Sequence, residues 1–304
     1  MSDELYAAID LGANSFHLVI MRRQDSQLVT VDGYREIVRL ASGIHPDTHQ
    51  LRPEARRRAL RCLQDIRQRL ALHSVQKVRV VGTSAFRAMR HNADFLSAAE
   101  TALGLPIEIV SGEDEARLIY LGATWGLPQS HRLVVDIGGG STEIIIGHGA
   151  ETQMAISLDV GSASLSAAFF QANRINQNHL EKARSHVKHL LERQFKPEQL
   201  PNHPLLAVGS SGTAKSLSWV MRSLHLSNGD ITLDGLSRIA PLLWQVQNID
   251  QLSQVLNLNV RRTHVFPGGY VIMDEIFRTL NIERMTISAR ALREGMIVEM
   301  LQSA

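Results

Sequence analysis

The chain has 304 residues, enough for about two domains, and 44% of them are hydrophobic, enough for ordinary globular cores. Charged residues make up 20% and the formal net charge is only +2, which is not the overall signature of a nucleic-acid-binding protein. The single cysteine, Cys62, excludes an internal disulfide, the N-terminal "MSDELYAAID" lacks a basic leader, and no stretch approaches the ~20 apolar residues of a membrane span. These features predict a soluble cytoplasmic protein with neither nucleic acid nor membrane as partner.

The first predicted element is a strand, "LYAAID", followed by the turn "DLGANS" and a second strand, "FHLVIM". "TVDGYREIVRLA" (30–41) reads as a third strand. Pro53 opens a helix to about Leu72, with Ala59, Leu63, Ile66 and Leu70 at helical spacing. "VRVVG" (78–82) is a buried strand. Asn92 is placed to N-cap a helix that ends at Gly104, and "IEIV" (107–110) is another strand. Ser111 starts a helix towards Gly122. A second strand–turn–strand then fills 132–148, with "DIGGGS" as its turn. A long helix near 178–195, the segment "LLAVGSSGT" (205–213) and further helix to the C-terminus complete the pattern. Strands alternating with helices predict an α/β fold with mixed sheets. Because Asp10 and Asp136 align at the two turns, we expect an internal duplication. The boundary falls near "WGLPQS" (125–130), giving domains of 1–125 and 126–304.

Gly-rich turns between strands aim several backbone N–H groups at one point and so bind anions, phosphate above all. Gly138, Gly139 and Gly140 form one such turn, with Ser141 after it. Gly12 and Asn14 form another, and Gly209 to Thr213 a third at a helix N-terminus. A tight turn alone would explain any one of them, but three in one chain point to phosphate. Asp10 and Asp136, at strand ends, then suit Mg²⁺, which takes one or two carboxylates with phosphate and water. Glu143 joins them on the second hairpin.

Glu113 and Asp114 are explained as first-turn acids of a helix. Glu115 shares a stripe with Leu118, Ile119 and Gly122, so its carboxylate is expected to be desolvated and more basic. Arg117 is expected to pair with a nearby acid. Arg87, just past a strand end, could fork onto phosphate, whereas Arg90 reads as a surface charge. Seven arginines between 52 and 69 face only Glu54 and Asp65, either as a solvated helix face or as a track for a polyanion. "HPDTH" (45–49) reads as a turn rather than a metal site.

Together, "AAIDLGANSFHLVI", "VVGTSAFR", "SGEDEARLIYLG", "VVDIGGGSTEIIIG", "VGSSGT" and "ISARALREGM" resemble the exopolyphosphatase/guanosine pentaphosphate phosphatase family over nearly the whole chain. The resemblance implies two actin-like (ribonuclease H-like) domains with an interdomain cleft, in the short two-domain form. It implies Mg²⁺- or Mn²⁺-dependent hydrolysis of a terminal phosphoanhydride. The family's base glutamate maps to Glu115 and its phosphate-contacting arginine to Arg87. Its metal and water-positioning acids map to Asp136 and Glu143. Asn14, Ser15, Gly139, Gly140, Ser141, Ser211 and Gly212 match its phosphate-loop positions. Two departures stand out. Ser288-Ala289-Arg290 replaces an S-D-G of many members, and Ser164 stands where many carry an arginine. The expected partner is inorganic polyphosphate. Guanosine pentaphosphate is the alternative, a sugar-kinase-like phosphotransferase and a polyphosphate-binding regulator are rivals of another class, and the reading leaves room for a homodimer.

Overall fold

The computed structural model describes residues 4–24, 27–45, 50–170, 174–196, 205–246 and 248–303. Residues 46–49 of the "HPDTH" turn lie outside the described residues. The chain forms two compact units, Met1–Leu127 with Arg290–Ala304, and Pro128–Ala289.

The first unit is built on a five-stranded sheet. Strands β1 (Leu5–Leu11), β2 (Phe16–Gln24) and β3 (Gln27–Glu36) are antiparallel neighbours, and β4 (Val75–Gly82) and β5 (Glu108–Ile109) continue the sheet in parallel from β1. Between them run α1 (Pro53–Leu70), the short α2 (Ser84–Ala88), α3 (Ala93–Leu103) and α4 (Gly112–Thr124). The reasons are local. Pro53 sits in the first turn of α1, where its missing N–H costs nothing, and Ala55, Ala59, Cys62, Leu63 and Ile66 form the buried face. The Asn92 side chain accepts the N–H of Phe95, and Gly104 ends α3 in the left-handed region at φ 76°. Ser111 accepts the N–H of Asp114 at the start of α4.

The third strand stops at Glu36 rather than reaching Ala41. The next residues serve the first Gly turn instead: the Arg39 and Ala41 N–H groups donate to the Asn14 and Ala13 carbonyls at 2.8 and 2.9 Å. A segment whose backbone donors are taken by a turn cannot continue a sheet ladder.

The second unit repeats the arrangement. Strands β6 (His131–Ile137), β7 (Thr142–His148) and β8 (Glu151–Leu158) are antiparallel, and β9 (Leu206–Gly209) runs parallel to β6. Beyond β9 lie β11 (Arg284–Ile287), parallel to it, and β10 (Ile231–Thr232) at the edge. The order β8-β7-β6-β9-β11 thus mirrors β3-β2-β1-β4-β5, the ribonuclease H-like sheet of actin-like domains. Strands β8, β10 and β11 go beyond the sequence reading, which placed no strand between the second hairpin and the 178–195 helix and only helix after residue 213. Helices α5 (Ser162–Phe169), α6 (Gln177–Gln194), α7 (Gly212–Ser223), α8 (Leu233–Gln245), α9 (Leu252–Val255) and α10 (Phe266–Thr279) cover this sheet. Each unit has its own apolar core.

The last helix, α11 (Leu292–Gln302), differs from the expected domain assignment, since it completes the first unit rather than the second. Two glycines explain its seat on α4. A Cβ at Gly122 would come within 2.0 Å of the Ala291 carbonyl oxygen, and one at Gly295 within 1.8 Å of that of Leu118. The helices therefore meet backbone to backbone. Glu299 fastens the far end to Arg79 and to Arg117, the latter at 2.5 Å, so Arg117 has the acidic partner expected of it.

Candidate active site

Each unit carries a hairpin turn flanked by polar side chains in register. In the second unit, Asp136 at the end of β6 lies directly opposite Glu143 on β7. Directly opposed residues of an antiparallel pair point to one face, so the two carboxylates are neighbours. Both are buried, at 8% and 1% exposure. Ser210 Oγ donates to Asp136 Oδ2 at 2.6 Å, and Ser157 Oγ to Glu143 Oε1 at 3.0 Å. The sequence reading missed both serines. Ser210 lies beside the Ser211 it did select, whereas Ser157 belongs to the unpredicted β8.

The turn between these carboxylates is held by its carbonyls. Gly138 O accepts from the Ser162 N–H and hydroxyl, and Gly139 O from the Ala163 and Ser164 N–H groups. Gly161 permits this approach, for a Cβ there would lie 2.5 Å from the Gly139 carbonyl carbon. Among the described residues no acceptor takes the N–H of Gly139 or Gly140. That is the donor arrangement of an anion-binding turn. Ser141, buried, follows it. Ser164, where relatives of the family were expected to carry arginine, caps α5 by accepting the Gly161 N–H at 2.9 Å.

The third turn is less open than its sequence suggests. Ser211 Oγ accepts the N–H groups of Thr213 and Ala214, both at 3.1 Å, so the side chain spends its acceptor capacity as the N-cap of α7. Its hydroxyl hydrogen remains a donor. Arg262 lies so close to Gly212 that a Cβ there would sit 1.7 Å from the guanidinium. This arginine was not singled out from the sequence, because 50 residues of chain separate it from the turn it meets.

In the first unit, Asp10, next to last in β1, lies opposite His17 on β2. Gly12 N–H donates to Ser15 O at 3.2 Å, closing the turn that displays Asn14 and Ser15. Two predicted residues meet directly: Arg87 Nη1 donates to Glu115 Oε2 at 2.6 Å and to the Val110 carbonyl at 3.3 Å. Glu115 is 6% exposed, in the first turn of α4. The expected desolvation is therefore accompanied by a cationic partner, which the sequence reading had assigned to phosphate alone. Nε and Nη2 of Arg87 have no acceptor among the described residues. Arg90 is exposed, as expected.

The arginine-rich helix is not a uniform track. Arg69 makes two hydrogen bonds to Asp32, Arg58 donates to the Val38 carbonyl, and Arg57 pairs with Glu54. Arg56 lies over the Phe95 ring. Arg52 and Arg61 have no side-chain partner among the described residues.

Among the described residues no three His, Cys, Asp or Glu side chains gather as a metal cage. Asp136 and Glu143 fit a more modest role. They are two buried, adjacent carboxylates beside a turn with open amide donors, and paired carboxylate oxygens are the kind of donor that a Mg²⁺ ion could take. No described helix is long and apolar enough to cross a membrane.

Comparison with known proteins places these features in context. The model of the Ppx/GppA phosphatase family matches residues 19–304. An exopolyphosphatase from Cytophaga hutchinsonii ATCC 33406 superposes with a TM-score of 0.85 at 23% identity, covering 99% of each chain. The Aquifex aeolicus member of the Ppx/GppA family superposes with a TM-score of 0.82 at 22% identity, over 99% of this chain and 98% of its own. At such identities the shared property is the fold.

Proposed function

Because the chain belongs to the Ppx/GppA phosphatase family, we propose that it is an exopolyphosphatase, removing the terminal phosphate of inorganic polyphosphate. The observation that carries this reading is the second hairpin: two buried carboxylates in register on either side of a turn with unpaired amide donors. Such a set suits a phosphoanhydride with its cation, and nothing in it requires a sugar.

Asp136 and Glu143 would hold Mg²⁺ or Mn²⁺, which when bound neutralises charge on phosphate oxygens. The amides of Gly139 and Gly140, with the hydroxyls of Ser141 and Ser211, would bind the phosphate chain. In the first unit Asn14 and Ser15 would do the same, with Asp10 at the base of the turn. Glu115 takes a proton from water and the water oxygen attacks the terminal phosphorus. The bridging P–O bond breaks, releasing orthophosphate and a chain one unit shorter. Arg87 orients Glu115 through Nη1 and offers Nε and Nη2 to the phosphoryl oxygens. Phosphoryl transfer asks mainly for positioning and charge neutralisation, which these groups provide.

The choice of polyphosphate over guanosine pentaphosphate rests on the aromatics nearest the phosphate motifs. Phe16, Phe86 and Tyr120 are all at most 2% exposed, so none can stack on a base. A linear polyanion needs only further positive charge, and Arg52 and Arg61 supply it. Orthophosphate release from polyphosphates of several lengths and from guanosine pentaphosphate, measured side by side, is the test. Polyphosphate should show the higher kcat/KM, and replacing Arg52 and Arg61 by Gln should weaken long chains more than tripolyphosphate. A higher kcat/KM for guanosine pentaphosphate would replace this reading with the nucleotide one.

A further inference from the structure

The two hairpins are equivalent, and the position seven residues past the aspartate is Glu143 in one and His17 in the other. His17 is joined on both sides. Arg293 Nη1 lies 2.9 Å from His17 Nδ1, and His17 Nε2 lies 2.7 Å from Ser15 Oγ. A guanidinium can only donate, so Nδ1 must accept and carry no proton. A neutral imidazole then bears its single hydrogen on Nε2 and donates it to Ser15 Oγ. With that lone pair engaged, the Ser15 hydroxyl hydrogen is left to be directed elsewhere.

We propose that Arg293 and His17 are positioning residues for the phosphohydrolase reaction. They act as a one-way donor chain, Arg293 to His17 to Ser15, that aims the Ser15 hydroxyl as a hydrogen-bond donor at a non-bridging phosphate oxygen. The inference rests on the phosphatase reading given above. It gives the C-terminal helix a chemical task, since the backbone-to-backbone seat of α11 on α4 through Gly122 and Gly295 is what delivers Arg293 to the hairpin. It also accounts for a histidine where the companion hairpin has a carboxylate: a carboxylate at position 17 could accept from both neighbours but could not pass a proton donor on to Ser15.

The test has two arms. Long-range ¹⁵N–¹H correlation spectra of the full chain at pH 8 should show the histidine whose signals vanish in His17→Gln as a single fixed Nε2–H tautomer, with Nδ1 unprotonated. In orthophosphate-release kinetics with tripolyphosphate, Ser15→Ala and His17→Ala should each raise KM roughly tenfold, the loss of one hydrogen bond to a charged group, with kcat changed less than about threefold. The double variant should be no worse than either single one, because the chain fails at its first broken link. His17→Gln, whose amide can stand where Nε2–H stood, should recover most of the affinity, and His17→Asn should not. An Nδ1–H tautomer for His17, or effects of Ser15→Ala and His17→Ala that multiply in an active enzyme, would overturn the donor chain alone. A wild type that releases no orthophosphate from any polyphosphate or from guanosine pentaphosphate would overturn the phosphatase reading, and the proposal with it.

Discussion

Replacing Glu115 by Gln keeps the side chain's size and its place against Arg87, but removes the carboxylate that would take a proton from water. The variant should retain phosphate binding and its melting temperature while turnover falls about 10²–10⁴-fold, the usual cost of a lost general base. Near-normal turnover would remove Glu115 from the mechanism. Asp136→Asn and Glu143→Gln should behave differently. Each leaves one carboxylate of the in-register pair, so activity should return at higher Mg²⁺, which a titration of rate against metal would reveal. An unchanged metal requirement in both variants would assign the pair another task. Much at this scale was legible in the sequence, because Asp, Glu, Gly and Ser in fixed spacing on a hairpin have few other uses. What was not legible is who touches whom. Twenty-eight residues separate Glu115 from Arg87, and 276 separate Arg293 from His17.

Among the elements, α1 is the one whose sequence most overstated its free charge. Its arginines read alike in one dimension, yet helical geometry divides them between a partner-facing side and an open one. Arg69 is spent on tying α1 to β3. It and His73 hydrogen-bond the Asp32 carboxylate, and with the Gly33 N–H they hold its pKa well below the usual carboxylate range, the Arg69 bonds contributing most. A depressed folded pKa stabilises the protein only above the unfolded value of about 4, and the benefit is lost as pH falls from there towards the folded one. Asp32→Asn should therefore melt a few degrees below wild type at pH 7, with the gap closing as pH is lowered from about 4 towards 2. Thermal melts across that range test it, and a gap that stays constant would mean the charge is irrelevant. The strands show the opposite failure of legibility. β11 is four residues long, too short for a period to declare itself between two helices.

For the whole molecule, the duplication was visible from two six-residue turns, and the shared sheet order bears it out. The return of the last helix to the first unit was not visible. Its cause is two glycines, Gly122 and Gly295, which look unremarkable inside helical stretches and matter only once the helices cross. Gly295→Ala should force α4 and α11 apart, since the new methyl would meet a backbone carbonyl that cannot step aside. Overpacking of this kind costs about 1–3 kcal/mol. Denaturant unfolding should register that loss, and Arg79→Ala, which removes a contact at the far end of the same helix, should add to it. A Gly295→Ala variant as stable as wild type would mean that the crossing is loose.

The interrupted first unit also sets an order of events in synthesis. Strand β1 and helix α4 leave the ribosome early, but the helix that covers them follows only after every residue of the second unit. At ordinary elongation rates that is on the order of ten seconds or more. For that interval the second unit can fold as a continuous stretch of chain, while the first waits with the α11 side of α4 uncovered. A nascent chain halted between Glu143 and Arg293 already contains Glu115, Asp136 and Glu143, yet its first unit is unfinished. Assembly of the first unit therefore waits on a segment made after the whole of the second.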